Sequence, residues 1–159
     1  MSEIFNTTLE SNLLSIAAFL ENDIKEILLE KGHKATGELI SSIKNTVSRG
    51  SSSFTIEGRM GKQGIYIISG REKGLKGIPV DALVRWIENK KFSSGIKSTR
   101  GLAFAIQKSI KKKGIKPDDF ISEVFEKRAG RIEKKINDSV EVALEASLTN
   151  LINKARKFT

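Results

Sequence analysis

Hydrophobic residues recur at helical spacing over most of the chain. From Leu9 to Leu29 they follow the i, i+3, i+4, i+7 rhythm, with acidic residues on the opposite side and Gly32 as a stop, which predicts an amphipathic helix over residues 9–31. A second stripe predicts a long helix over residues 131–157, preceded by further helix from Asp118 with a bend at Gly130. The stripe comprises Ile132, Ile136, Val140, Ala143, Leu144, Leu148, Leu151 and Ile152.

Three shorter helices are predicted between these two. Thr36 is a candidate N-cap for a helix whose apolar face is formed by Leu39, Ile40, Ile43 and Val47. Pro79 stands at the start of the next helix, where its missing N–H is not needed. Thr99 is the candidate cap of the third, which Gly114 and Pro117 end.

The strand signals are confined to the stretch between residues 53 and 69. "SFTIEG" places Phe54 and Ile56 on one face, and "GIYIIS" is rich in β-branched and aromatic residues. The glycine-rich link from Gly58 to Gly64 predicts a hairpin between them, and "GREKGLKG", residues 70–77, is typical of a mobile basic loop. The order α-α-β-β-α-α-α predicts an α+β fold, a small antiparallel sheet packed with helices, in a single domain over residues 1–159.

Charge changes this picture because it is segregated along the chain. The net charge is +9, yet residues 1–30 carry −5, residues 31–116 carry +14, and residues 117–159 carry eight charges of each sign. Such segregation predicts contacts between copies through opposite charges, or a polyanionic partner. The chain has no cysteine, which excludes disulfides and thiolate metal sites, and no signal peptide or membrane-spanning run is recognisable.

Candidate chemistry is sparse. The only histidine, His33, has no second histidine or cysteine for a zinc site, so it is interpreted as a surface residue. No serine-nucleophile or phosphate-loop motif is present, and Asp118 and Asp119 are interpreted as helix caps. We therefore expect no catalytic, metal or cofactor site, although a nuclease-like carboxylate site built from distant residues stays open.

The basic residues of the middle segment allow two interpretations. Lys111, Lys112 and Lys113 end a helix, where cations complement the dipole. Further basic residues lie in neighbouring loops, where the helix dipole does not explain them. They indicate an anionic neighbour, either DNA or an acidic protein face. These further residues are Arg71, Lys73, Lys76, Lys90, Lys91, Lys97 and Arg100.

Three motifs in order resemble phage head–tail connector proteins, also called neck or tail-completion proteins. They are "ATGELISSI" (residues 35–43), "IPVDALVRWIENKKF" (residues 78–92) and "RGLAFAIQKSIKKKGIKPDDF" (residues 100–120), within a motif-bearing core over residues 35–125. The chain departs from the family pattern before Gly70: many members have a tyrosine followed by an acidic residue there, whereas here Ser69 precedes the glycine. The residues that carry the motifs are Thr36, Gly37, Leu39, Ile43, Pro79, Trp86, Gly114, Pro117 and Phe120.

The resemblance implies a structural subunit that works by packing and not by turnover. Six or twelve copies would form a ring between portal and tail proteins, made in the host cytoplasm and located in the virion, with a basic inner rim around the passing genomic DNA. It also implies that Trp86 belongs to the core, that Phe120 anchors the C-terminal helix on the core, and that residues 70–77 are free to fold against a neighbouring subunit or the tail. The alternative is a stand-alone, non-specific nucleic-acid-binding protein, for which the basic clusters suffice.

Overall fold

A computed structural model of the chain describes residues 3–33, 36–92 and 98–156. Within these ranges the protein is mostly helical, with one two-stranded antiparallel sheet, which confirms the predicted α+β class. Ala35, Lys97 and Lys157, to which sequence predictions refer, lie outside the described residues. The elements are α1 (Glu3–Glu30), α2 (Glu38–Ser42), β1 (Lys44–Arg49), β2 (Phe54–Arg59), α3 (Lys62–Ser69), α4 (Val80–Asn89), α5 (Thr99–Lys113) and α6 (Phe120–Ala155).

Helix α1 begins at Glu3, before the predicted start at residue 9, and ends at Glu30. Helix α6 begins at Phe120, close to the start predicted at Asp118, and runs 36 residues through Gly130, so the two predicted helical segments form one helix. Phe120 and Val124, both fully buried, extend the same apolar periodicity toward the N-terminus. Gly130 is helical and its surroundings would leave room for a side chain.

The hairpin exists, but the predicted pairing is wrong. Strand β1 pairs antiparallel with β2, with Val47 opposite Ile56, and a short turn closes where the Gly50 amide donates to the Ser53 carbonyl at 2.8 Å. The predicted helix through Val47 therefore ends at Ser42, and Val47 packs from the sheet onto the first core. The alternation of half-buried and exposed positions in "KNTVSR" contains only one large apolar residue, so the strand signal is weak in the sequence.

The segment predicted as the second strand is a helix. "GIYIIS" lies in α3, where Ile65 and Tyr66 are exposed and only Gly64 is buried. Its start is fixed by the Gly61 amide, which donates to the Ser42 hydroxyl at 2.8 Å, and by the Gly64 amide, which donates to the Gly61 carbonyl at 2.9 Å. A short apolar run is compatible with either a strand or a helix. Here the hydrogen bonds of the Gly61 and Gly64 amides favour the helix.

The internal contacts of the chain fall into two compact units. The first unit comprises Met1–Ile24, Lys44–Arg59 and Glu123–Thr159, and the second comprises Lys25–Ile43 and Met60–Ser122. The first has a core from α1, the hairpin and α6, built on Leu9, Leu13, Ile16, Leu20 and Ala143. The second includes a core between α4 and α5, where Leu83, Ile87 and Ala103 are buried.

The predicted start of α4 and both predicted ends of α5 are correct to within a residue. Pro79 is the N-cap of α4, directly before Val80. Ser98, and not Thr99, caps α5: its hydroxyl accepts from the Gly101 amide at 3.1 Å. Gly114 ends α5 as predicted, with a positive φ of 75° and its amide donating to the Ile110 carbonyl.

Phe120 provides a direct test of the second unit's stability. Its ring is fully buried, whereas Phe125 in the next turns of the same helix is 47% exposed. We expect Phe120→Ala to lower the free energy of unfolding by about 3–5 kcal/mol, because buried apolar surface is removed and a cavity remains. Urea denaturation followed by circular dichroism measures it, with Phe125→Ala as the matched control; equal effects of the two substitutions would contradict the assigned anchor.

Candidate interaction surfaces

The net charge of the chain belongs to one unit. The first unit contains eleven Lys and Arg residues and eleven Asp and Glu residues, so it is neutral. The second contains 17 basic and eight acidic residues, and therefore carries the full +9. Positive charge collected on one compact body produces a stronger local potential than the same charge spread over the chain.

Two basic stretches of the second unit are joined through their backbones. Arg71 and Ile115 exchange two hydrogen bonds of 2.8 Å each, and the Gly74 amide donates to the Lys111 carbonyl, also at 2.8 Å. At Gly114 a Cβ atom would clash with the Arg71 carbonyl oxygen, so this close approach requires glycine. Six residues are thereby assembled into what we call the basic cluster: Arg71, Lys73, Lys76, Lys111, Lys112 and Lys113.

The basic cluster faces water over most of its length. Lys73, Lys76 and the three consecutive lysines are exposed, while the half-buried Arg71 guanidinium donates to the Lys76 carbonyl. The segment predicted as a mobile loop has no helix or strand of its own, yet these hydrogen bonds tie its first half to the end of α5. The geometry gives a fixed group of cations next to a helix C-terminus.

The remaining predicted basic residues have other contacts. Lys90 and Lys91 follow the last residue of α4, and the Lys90 ammonium donates to the Gly32 carbonyl. Arg100 pairs with Asp81 at 3.1 Å. Lys90 and Arg100 thus also hold elements of the second unit together, a role that the sequence pattern did not indicate.

Asp118 is the centre of an ion-pair group that the sequence interpretation missed. Its carboxylate accepts from the Lys31 ammonium at 2.8 Å and contacts His33 Nε2 at 2.9 Å. The His33 and Lys31 hydrogen bonds lower the pKa of Asp118 below 3.8. The predicted capping role is wrong for Asp118 and confirmed for Asp119, whose carboxylate accepts from the Ser122 hydroxyl and amide, which lower its pKa as well.

The motif residues occupy mostly structural positions. Leu39 and Ile43 are buried, Gly37 adopts a left-handed φ of 88° as the N-cap of α2, and the Thr36 hydroxyl accepts from the Glu38 amide at 3.3 Å.

Trp86 is the exception among the motif residues, because its side chain is 38% exposed. It packs against Phe92, with 5.6 Å between the ring centroids, and it lines a cavity of about 320 Å³ together with His33 and Lys90. It is thus not part of the buried core that the resemblance implied.

Among the described residues, no group of three or more His, Asp or Glu side chains is arranged to hold a metal ion.

The apolar stripe of α6 is only partly covered by the protein. Ala143 is buried and Ile132 and Val140 pack on the first core, as the stripe predicts. Ile136 is 38% exposed, and the four members nearer the C-terminus are more exposed: Leu144 by 50%, Leu148 by 58%, Leu151 by 55% and Ile152 by 53%. We call these four the exposed stripe; a contiguous apolar surface of this kind is typical of a protein interaction site.

Within the described ranges, no helix combines the length and the apolar character needed to cross a lipid bilayer.

Comparison of the chain with protein-family models, with curated proteins and with solved structures gives no match.

The Asp118 group predicts a specific pH dependence of stability. Because the folded-state pKa lies below its unfolded value, the group stabilises the fold above that value, and the contribution is lost as pH falls through the folded pKa. We expect Asp118→Asn to remove this contribution, roughly 0.5 kcal/mol for a half-exposed pair. Urea midpoints measured between about pH 2.5 and about pH 6 test it.

The exposed Asp138 offers the matched control, as Asp138→Asn changes the same chemical group elsewhere. The difference in stability between Asp118→Asn and the unchanged protein should shrink toward zero at the acid end. A difference that stays constant across the pH range would contradict the ion-pair assignment.

Proposed function

We propose that this chain is a structural virion protein of the phage head–tail junction, and that it assembles into a ring through contacts between copies. The observation that carries the proposal is the exposed stripe of α6, because four large aliphatic side chains face water on a single copy. Burying such side chains contributes about 1.5–3 kcal/mol each, which drives association. A protein that acts by association needs a surface of this kind.

The charge distribution supports a ring around DNA. The second unit carries +9, and the basic cluster exposes five of its six residues. In a ring of six or twelve copies this charge is repeated around the axis, so an inward-facing basic cluster would line the channel. Binding to phosphate needs only cations near the DNA backbone and no recognition of the bases, which suits DNA that passes through the channel of the ring.

The placement at the junction between portal and tail rests on the motif resemblance, and the positions of the motif residues support it. Leu39, Ile43 and Phe120 are buried, and Gly37 and Gly114 adopt positive φ angles that favour glycine. These are roles in folding and not in turnover. His33 and Asp118, the two residues best suited to acid–base chemistry, bind each other, and Asp118 also binds Lys31, so we assign them a structural role as well.

The second candidate is a stand-alone, non-specific nucleic-acid-binding protein. The basic cluster favours it, since fixed exposed lysines bind phosphate without any assembly. The two candidates differ in what the protein does without DNA: the first is a defined oligomer, and the second is a monomer.

One set of variants tests both candidates. We expect sedimentation of the purified protein to show a closed oligomer, and Lys111→Glu/Lys112→Glu/Lys113→Glu to sediment identically. The same variant should bind duplex DNA more weakly. The slope of log K against log salt should fall by up to about 0.9 for each phosphate that the variant no longer neutralises.

The control is Arg59→Glu/Lys127→Glu/Lys134→Glu, which makes the same charge change at exposed sites of the neutral first unit. This control should keep most of the DNA affinity. A monomer that binds DNA with a steep salt dependence would replace the first candidate by the second, and a monomer without DNA affinity would contradict both.

A further inference from the structure

Residues 70–78, which follow α3, lie along the end of α5 and are attached to it at three levels. The attachment consists of backbone and side-chain hydrogen bonds that join Arg71 to Ile115, Gly74 to Lys111, and Ile78 to the Gln107 amide group, the last at 2.6 Å. The partners at positions 107, 111 and 115 are four residues apart, so they follow one side of the helix. We call residues 70–78 the tethered loop; it runs antiparallel to α5 over roughly 12 Å.

The surface that these contacts create is almost free of acidic residues. Residues 90–117 contain none, and the tethered loop contains one, the exposed Glu72. Five exposed lysines lie on the loop and on one adjoining side of α5: Lys73, Lys76, Lys108, Lys111 and Lys112. Duplex DNA carries one charge per about 1.7 Å of its axis, so roughly 12 Å spans about seven phosphate charges. The cations are therefore about as numerous as the phosphates that they would face.

The close approach of the loop to α5 depends on glycine at position 114. Gly114 has a φ of 75°, and a Cβ atom there would collide with the Arg71 carbonyl oxygen and would lie 3.1 Å from the Lys73 amide nitrogen. An alanine at this position therefore forces the loop away from the helix. It displaces Lys73 and Lys76 without changing any charge.

We propose that the tethered loop and the end of α5 form one binding surface for the phosphate backbone of duplex DNA, and that Gly114 is a positioning residue for this surface. Cations that are held in place before binding lose less conformational freedom when the DNA binds. Lys73 and Lys76 thus contribute fully to affinity only while the loop is tethered. This inference rests on the DNA contact in the proposed function, and it names the residues and the backbone geometry that make the contact.

Gly114→Ala tests the positioning role at constant charge. We expect the variant to bind duplex DNA roughly tenfold more weakly, because the displaced loop has to be ordered again on binding. The slope of log K against log salt should fall by about 1 for each loop lysine that no longer reaches a phosphate. Fluorescence anisotropy of a short labelled duplex, measured over a range of salt concentrations, gives both quantities.

The matched control is Gly32→Ala. Gly32 follows the end of α1 and has a φ of 71°, but a Cβ atom there meets no atom within 4 Å. The control therefore carries the same backbone strain without displacing the loop, and it should bind DNA with the affinity and the salt slope of the unchanged protein.

Circular dichroism shows whether the helices of both variants are retained. If Gly114→Ala loses its helical signal, Gly74→Pro takes its place in the test. Proline removes the amide that donates to the Lys111 carbonyl, at an exposed position outside the helices and strands, and it also leaves the charge unchanged.

A double-mutant cycle distinguishes positioning from a general loss of stability. In the unchanged protein, Lys73→Gln/Lys76→Gln should lower the salt slope by about 2. In the Gly114→Ala background the same change should have almost no effect, because the loop lysines are already displaced. If the glutamine substitutions cost as much in both backgrounds, or if Gly114→Ala binds DNA as the control does, the positioning role is wrong while the proposed function stands.

Two further outcomes concern the partner itself. If the unchanged protein does not bind duplex DNA at low salt, the DNA contact of the proposed function fails, and this inference fails with it. Binding to polyglutamate but not to duplex DNA would assign the surface to an acidic protein face and overturn the DNA assignment.

Discussion

The apolar packing of α1 against α6 is the interaction on which the first unit depends. Leu9, Leu13, Ile16 and Leu20 meet Ala143 there, and the hairpin joins this core through Val47, Phe54 and Ile56. The two helices differ in length, 28 residues against 36, and the apolar stripe of α6 continues to Leu151 and Ile152, which stay exposed. An exposed apolar helix face of this kind is typical of a surface that binds another molecule.

The second unit holds many cations close together. Backbone hydrogen bonds between Arg71 and Ile115, together with the glycine at 114, fix two basic stretches side by side without requiring any attraction between their side chains. The C-terminal end of α5 favours cations and lowers the cost of this arrangement. The first unit is therefore neutral with an exposed apolar stripe and the second is basic, and the proposed contacts with another copy and with DNA are based on this difference.

The sequence allowed prediction of the features that depend on long periodic patterns. Both terminal helices and the end of α5 at Gly114 could be located, because apolar spacing and helix-ending glycines are read directly. The role of Phe120 came from the family resemblance, and the structure shows that its ring is buried. The hairpin was misplaced because β1 has only Val47 as a large apolar residue, whereas "GIYIIS" has strand composition but a helical hydrogen-bond environment. The Asp118 group could not be predicted, since Lys31 and His33 are separated from it by more than 80 positions and only the tertiary fold brings them together. The same applies to the cavity of about 820 Å³ between α1, the hairpin and α6, whose walls come from three separate stretches of the chain.

Amide hydrogen exchange of the end of α6, measured in dilute and in concentrated solution, tests most directly whether the exposed stripe is covered by another copy. We predict that residues 144–155 exchange more slowly as concentration rises, while α4 in the second unit keeps the same rate. Exchange of residues 144–155 that is equally fast at all concentrations, in a sample that sedimentation shows to be oligomeric, would contradict the account.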